Sequence, residues 1–179
     1  MYTYQRHYYD IVQRDLILSE NLSTIHNVPK LEKINIALGG SSSDENYVVS
    51  AAAALNIISG QKSFFTHRKK VLNGISNSKE IVGSKLTIRG SKVYNFLYKI
   101  LFETLPYIKQ FEGLKTPLHK NIYCFCLNDI FVFQELIPLF IYFEGLGDFQ
   151  CQFHFTTKHK KEVLVLGSGL QFCFHSIIN

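Results

Sequence analysis

Apolar side chains recur along this chain with two different periods. Tyr8, Ile11, Val12 and Leu16 form one stripe while Gln5, Arg6, Gln13 and Arg14 lie off it, which predicts a helix from Tyr4 to Leu18. Val28-Pro29 disfavours helix. Lys30 to Leu38 then alternates, with Ile34, Ile36 and Leu38 on one face and Lys33, Asn35 and Ala37 on the other, the pattern of a half-buried strand ending at Gly39-Gly40. Ser42 followed by Glu45 is a capping-box spacing ahead of Val48, Ala51, Ala52, Leu55 and Ile58, and Gly60 stands where a helix would close. Gln61 to His67 suits a second strand. Arg68 to Gly83 is basic and rich in Gly, Ser and Asn, and reads as an exposed, mobile loop. In Ser84 to Arg89, Leu86 and Ile88 face inward and Lys85, Thr87 and Arg89 share the opposite face.

Ser91 can cap a helix whose stripe is Val93, Phe96, Leu97, Ile100, Leu101 and Leu105. Gly113 and Pro117 mark a loop. The last third is strand-like at Ile122 to Leu127, Phe131 to Phe133 and Phe149 to Phe155. Val163 to Leu166 is too short to classify, Gly167-Ser168-Gly169 should break it, and Leu170 to Phe174 suits an edge strand. The fold class expected is α+β: one domain over 1–179, an antiparallel-rich sheet with helices packed on one face.

Charge sharpens this picture. Of the net +5, the segment Gln61 to Lys99 carries +8 through Lys62, Arg68, Lys69, Lys70, Lys79, Lys85, Arg89, Lys92 and Lys99 against Glu80 alone, leaving −3 for the rest. A concentrated basic block suits a phosphate backbone, whose counterions are released on binding, although a solvated basic face has the same composition. Phe, Tyr, Met, Ile, Asn and Lys together number 70 against 24 for Gly, Ala, Arg and Pro, the bias of an AT-rich genome such as a mitochondrial chromosome, an AT-rich bacterium or a plastid. The N-terminus lacks the character of a secretory or transit leader, so synthesis within the organelle is expected if the chain works in one.

Several chemistries find no support. Ile130 to Phe143 is the longest apolar run, but it is 14 residues and holds Gln134, Glu135 and Pro138, so no membrane span is expected. Four cysteines without a secretory signal suggest reduced thiols packed in strands, and their spacing with histidine fits no zinc pattern. Leu38 to Asp44 and Ser59 to Ser63 imitate phosphate loops but lack, respectively, the lysine and the upstream glycine. No nucleophile elbow or metalloprotease motif occurs. No catalytic residue, metal or cofactor is expected.

Five blocks carry a family resemblance: Val28-Pro-Lys-Leu-Glu-Lys-Ile-Asn-Ile-Ala-Leu-Gly39, Ala54-Leu-Asn-Ile-Ile-Ser-Gly-Gln-Lys62, Gly83-Ser-Lys-Leu-Thr-Ile-Arg-Gly90, Pro106, and Phe111-Glu-Gly-Leu114. In order and interval they resemble the bacterial-type ribosomal protein family that holds 5S rRNA in the central protuberance, the fifth protein of the large-subunit numbering. The match weakens after Leu114 but continues through Phe133-Gln-Glu135 and Phe153 to Thr157. The resemblance implies a structural, non-enzymatic role: contact with 5S rRNA and large-subunit rRNA on the sheet, with neighbouring central-protuberance proteins, and with a small-subunit head protein across an intersubunit bridge. It also implies a basic loop reaching toward peptidyl-site tRNA. The RNA-binding candidates are Lys33, Asn35, Gln61, Lys62, Lys85, Thr87, Arg89 and Lys92; the tRNA-proximal candidates are Arg68, Lys69, Lys70, Asn73 and Lys79.

The chain also departs from the family. Ala37 replaces a usual Asn, Lys115 to Asn121 is short and lacks a Gly/Arg-rich motif, the helix before the last strand shrinks to Glu162 to Leu166, and Pro138 to Gly147 is unusually apolar. An exposed patch of Phe140, Ile141, Tyr142 and Phe143 would fit a lineage-specific protein partner. The expected location is the mitochondrial matrix, in the mitochondrial ribosome, with a bacterial cytoplasm or plastid as the alternative. A free-standing RNA chaperone or regulator on a related domain, and a small enzyme of unrecognised type, remain open at this point.

Overall fold

A computed structural model describes residues 3–20, 22, 24–40, 44–72, 75–157 and 159–175. The fold is α+β, as the alternating and helical periods predict. Five strands, β1 (Leu31–Gly39), β2 (Phe64–Leu72), β3 (Ile75–Arg89), β5 (Ile122–Leu127) and β6 (Phe149–Phe155), form an antiparallel sheet in the order β2-β3-β1-β6-β5. A short parallel pair joins β4 (Leu114–Lys115) to β7 (Phe174–His175). The chain divides into two compact units, one of residues 1–34, 88–125 and 152–179, the other of 35–87 and 126–151.

In the first unit, α1 (Thr3–His7), a π-helical turn (Tyr8–Val12) and α2 (Gln13–Ser19) run on without a break, burying Tyr8, Val12 and Leu16. Tyrosines here are core residues with a satisfied polar end: the Tyr4 hydroxyl donates to the Leu170 carbonyl at 2.5 Å and that of Tyr8 to the Pro29 carbonyl at 2.8 Å. Burial pushes the Tyr8 phenol up to about 12. The next helix, α4 (Ser91–Tyr98), begins one residue away from the expected cap. Gly90, at φ +68°, is the N-cap, and Ser91 is the first helical residue, because that left-handed conformation suits glycine alone. The helix continues through a π turn (Lys99–Thr104) and buries Val93, Phe96, Leu97, Ile100 and Leu101.

The glycine break expected at Gly167-Ser168-Gly169 is absent: α6 runs from Lys160 to Gly169. These glycines are packing residues. A Cβ at Gly167 would lie 2.3 Å from the Phe174 ring, and one at Gly169 would lie 2.9 Å from Val12 Cγ1. The expected edge strand Leu170 to Phe174 reduces to Phe174–His175.

In the second unit, α3 (Glu45–Ser59) buries Val48, Ala51, Ala54, Leu55 and Ile58 and closes at Gly60, whose φ is +62° and whose N–H donates to the Asn56 carbonyl at 2.9 Å. Ser42 of the expected capping box lies outside the described residues. Of the segment Arg68 to Gly83, expected as a loop, residues 68–72 and 75–83 belong instead to β2 and β3, paired from Phe64↔Lys85 through Lys70↔Ser78 to Leu72↔Ile75. Backbone pairing satisfies N–H and C=O groups whatever the side chains, so a polar, charged composition does not prevent a strand there. Phe131 to Phe133, expected as strand, starts in a 3-10 turn (Ile130–Val132), with Asp129 accepting from the Phe131 N–H at 2.8 Å.

A second 3-10 stretch (Gln134–Leu139) leads into α5 (Phe140–Phe143). There the anticipated patch is partly corrected: Phe140, Ile141 and Tyr142 are exposed, but Phe143 is buried. Cys151 is buried as expected, whereas Cys173 is exposed, as are Cys124 and Cys126, because Tyr123 and Leu127 take the inward positions of β5. Among the described residues no helix is long and apolar enough to cross a membrane, and no His, Cys, Asp or Glu cluster could hold a metal ion.

Candidate nucleic-acid interface

The alternation read from the sequence is realised on both central strands. Ile34, Ile36 and Leu38 of β1 are fully buried while Asn35 and Ala37 remain half-buried; Leu86 and Ile88 of β3 are buried while Lys85, Thr87 and Arg89 are exposed. Each strand thus sends apolar residues into a core and leaves polar groups open.

In the second unit, the Thr87 hydroxyl donates to Asn35 Oδ1 at 2.9 Å, which orients that amide on the open face. Gln61 is half-buried and Lys62 exposed, in a turn tied to α3 from both sides. Ser59 Oγ donates to the Leu55 carbonyl at 2.6 Å and accepts from the Gln61 N–H at 3.2 Å. The Ser63 N–H donates to Asn56 Oδ1 at 2.7 Å, and its hydroxyl to the Ala52 carbonyl at 3.2 Å. Lys62 therefore projects from a held backbone.

Gly83 allows the backbones of β3 and β1 to touch. A Cβ there would stand 2.3 Å from the Leu38 carbonyl oxygen and 2.8 Å from Gly39 Cα, and the Gly40 N–H donates to the Val82 carbonyl at 3.0 Å. Of the hairpin candidates, Arg68 is exposed on β2 opposite Glu80 in the register. The side chains of Lys69, Lys70 and Lys79 lie outside the described residues although their backbones are paired, and Asn73 lies outside them altogether.

In the first unit, Lys33 is half-buried and Arg89 and Lys92 are exposed. β1 carries two open positions in succession, Glu32 and Lys33, between the buried Leu31 and Ile34. Arg89 Nη1 lies 3.8 Å from Glu32 Oε1, with side chains 62% and 48% exposed, a loose pair that contributes little. His154 on β6 is held below the ordinary histidine range, first by burial and then by the positive charges of Lys33 and Arg89, with Glu32 opposing. Sequence alone had not flagged Glu32 or His154. Strand order is what places an acid and an imidazole among these cations.

The sequence also missed Phe64, an exposed ring opposite Lys85 in the β2–β3 register. The chemistry on offer is cationic and hydrogen-bonding. By contrast, residues 121–157 contain no Lys or Arg but include Asp129, Glu135, Glu144 and Asp148.

No family model matches the chain. It is 31% identical to the large ribosomal subunit protein uL5m of Reclinomonas americana, over 93% of this chain and 94% of that one. The uL5 protein of Borreliella afzelii (strain PKo) is 33% identical over 74% of this chain and 75% of its own. That of Fervidobacterium nodosum is 37% identical over 64% and 65%.

Proposed function

The chain belongs to the uL5 family of large ribosomal subunit proteins, and from that premise we propose that it anchors 5S rRNA to the large subunit. It is a structural, non-enzymatic constituent whose partners are rRNA and ribosomal proteins. The observation that carries the finer reading is the row of open polar groups on β1 and β3. Asn35, Thr87 and Lys85, with Gln61 and Lys62 in the turn that leads into β2, supply contacts in one unit; Lys33, Arg89 and Lys92 supply them in the other. Cations displace counterions from phosphates, while the Thr–Asn pair offers hydrogen bonds to sugar and base edges. The β2–β3 hairpin, with Arg68, Lys69, Lys70, Asn73 and Lys79, reaches toward peptidyl-site tRNA. The acidic, apolar 121–157 stretch faces protein neighbours, including one in the small-subunit head.

Composition and the uL5m relative support residence in the mitochondrial matrix. Proteomics of purified mitochondrial ribosomes should recover the chain with the large subunit in amounts equal to its other proteins, and in-vitro transcribed 5S rRNA should bind it with strongly salt-dependent affinity. Recovery only from the cytosol would overturn the location; salt-independent or absent binding of 5S rRNA would overturn the role.

Glu32 gives this reading a directional test. If Arg89 contacts phosphate, Glu32 competes with the RNA for it. Glu32→Gln should therefore tighten 5S rRNA binding about two- to fivefold at low salt, the scale of an exposed ion pair, with the gain fading as salt rises. Filter binding across a salt series measures it, and weaker binding by the variant would count against an RNA contact at Arg89.

A further inference from the structure

We propose that Phe64 is a stacking platform for one unpaired base of the bound RNA, placed beside a phosphate contact made by Lys85. This rests on the RNA-binding reading above and adds a residue and a mode of contact to it. The register pairs Phe64 with Lys85, and directly opposed residues of an antiparallel pair project to the same face. That face carries Lys85 and Thr87 and is opposite Leu86, which is 2% exposed. Phe65, by the same alternation, pairs with the fully buried Ser84 and turns the other way.

The Phe64 ring is 69% exposed, although it is among the most apolar side chains the chain possesses. β2 is the terminal strand of the sheet, so on its own face the ring has a neighbouring strand on one side only. The backbone just before it is fixed by the two hydrogen bonds from Ser63 to α3. A flat ring on a held strand loses only two side-chain torsions when a base settles on it.

Charge decides between RNA and protein as the occupant. The ring lies within the segment of net +8 and opposite a lysine, where an anionic backbone is attracted and a basic protein surface is repelled. Among the other exposed aromatic side chains, Phe140 and Tyr142 lie in the stretch without Lys or Arg and have no such complement. Only an unpaired base fits, since duplex bases are already stacked on each other.

Removing base–aromatic stacking should weaken 5S rRNA binding roughly 5- to 150-fold. Phe64→Ala and Phe64→Leu are expected to fall in that range with unchanged salt dependence, because no counterion is involved. Phe64→Tyr should stay within about twofold of the parent. Because the chain contains no tryptophan, Phe64→Trp introduces a single indole. Its emission should be quenched by 5S rRNA but not by a fully paired RNA duplex, and a Tyr142→Trp control should respond to neither.

Parental affinity of Phe64→Ala and Phe64→Leu, with Lys85→Ala weakened, would overturn the stacking role alone. Parental affinity of all three would overturn the RNA face itself. Undiminished RNA affinity of Phe64→Ala combined with poor incorporation into the large subunit would assign the ring to a protein neighbour and also overturn the proposal. Matching melting temperatures would establish that each variant is folded.

Discussion

Gly83→Ala is expected to destabilise the protein by about 3 kcal/mol or more, at the upper end of overpacking costs, because the added methyl meets backbone and not a side chain. The Leu38 carbonyl at 2.3 Å and Gly39 Cα at 2.8 Å belong to β1, whose position is set by fully buried Ile36 and Leu38. Relief requires β3 to move off β1, with loss of the Gly40 N–H to Val82 carbonyl bond as the first consequence. Gly167→Ala makes an equally close contact on paper, 2.3 Å, but with the ring edge of Phe174, a side chain and not backbone, which can give by a small rotation. Thermal unfolding of both variants separates the cases. At about 2–4 °C per kcal/mol for a chain of this size, Gly83→Ala should lose roughly 6–12 °C and Gly167→Ala clearly less. Equal losses would show that the β1–β3 approach is not the tight point.

The second large effect concerns binding. Replacing Lys85 and Arg89 together by alanine should reduce 5S rRNA affinity on the order of 100-fold near physiological salt, taking about 1.5 kcal/mol for each charge-assisted contact. The slope of log affinity against log salt should fall by about two units. Lys160→Ala, a control at the start of α6, should leave both quantities near the parent values. Both side chains of the pair are exposed and project away from Leu86 and Ile88, so stability should be nearly untouched. An unchanged salt slope in the double variant would remove these two residues from the RNA face.

Legibility of the fold followed the strength of local periodicity. β1 was readable almost to the residue, because Ile34, Ile36 and Leu38 alternate cleanly with polar positions, and α3 was readable through its stripe and Gly60. The outer part of the β2–β3 hairpin, beyond His67 on β2 and before Ser84 on β3, was not. Its partners are backbone groups, and a polar terminal strand has the composition of a loop until its register is known. α6 was hidden for another reason: Gly167 and Gly169 are poor helix formers, selected by the nearness of Phe174 and Val12, which no local pattern announces. The candidate site divides in the same manner. Lys85, Thr87 and Arg89 follow from alternation within one strand. Phe64 needs the β2–β3 register, and the setting of His154 needs the order in which β3, β1 and β6 lie.

The position of β2 at the end of the sheet has a consequence for the chain before it meets RNA. An outer strand offers unpaired peptide groups to any other strand, and natural proteins guard such borders with like charges. β2 contains Arg68, Lys69 and Lys70 in succession, so two copies aligning border to border would place cations against cations. The charges that suit this hairpin to a nucleic acid therefore also act as gatekeepers of solubility. Neutralising them would remove that guard along with the attraction to phosphate, so both properties rest on the same three side chains.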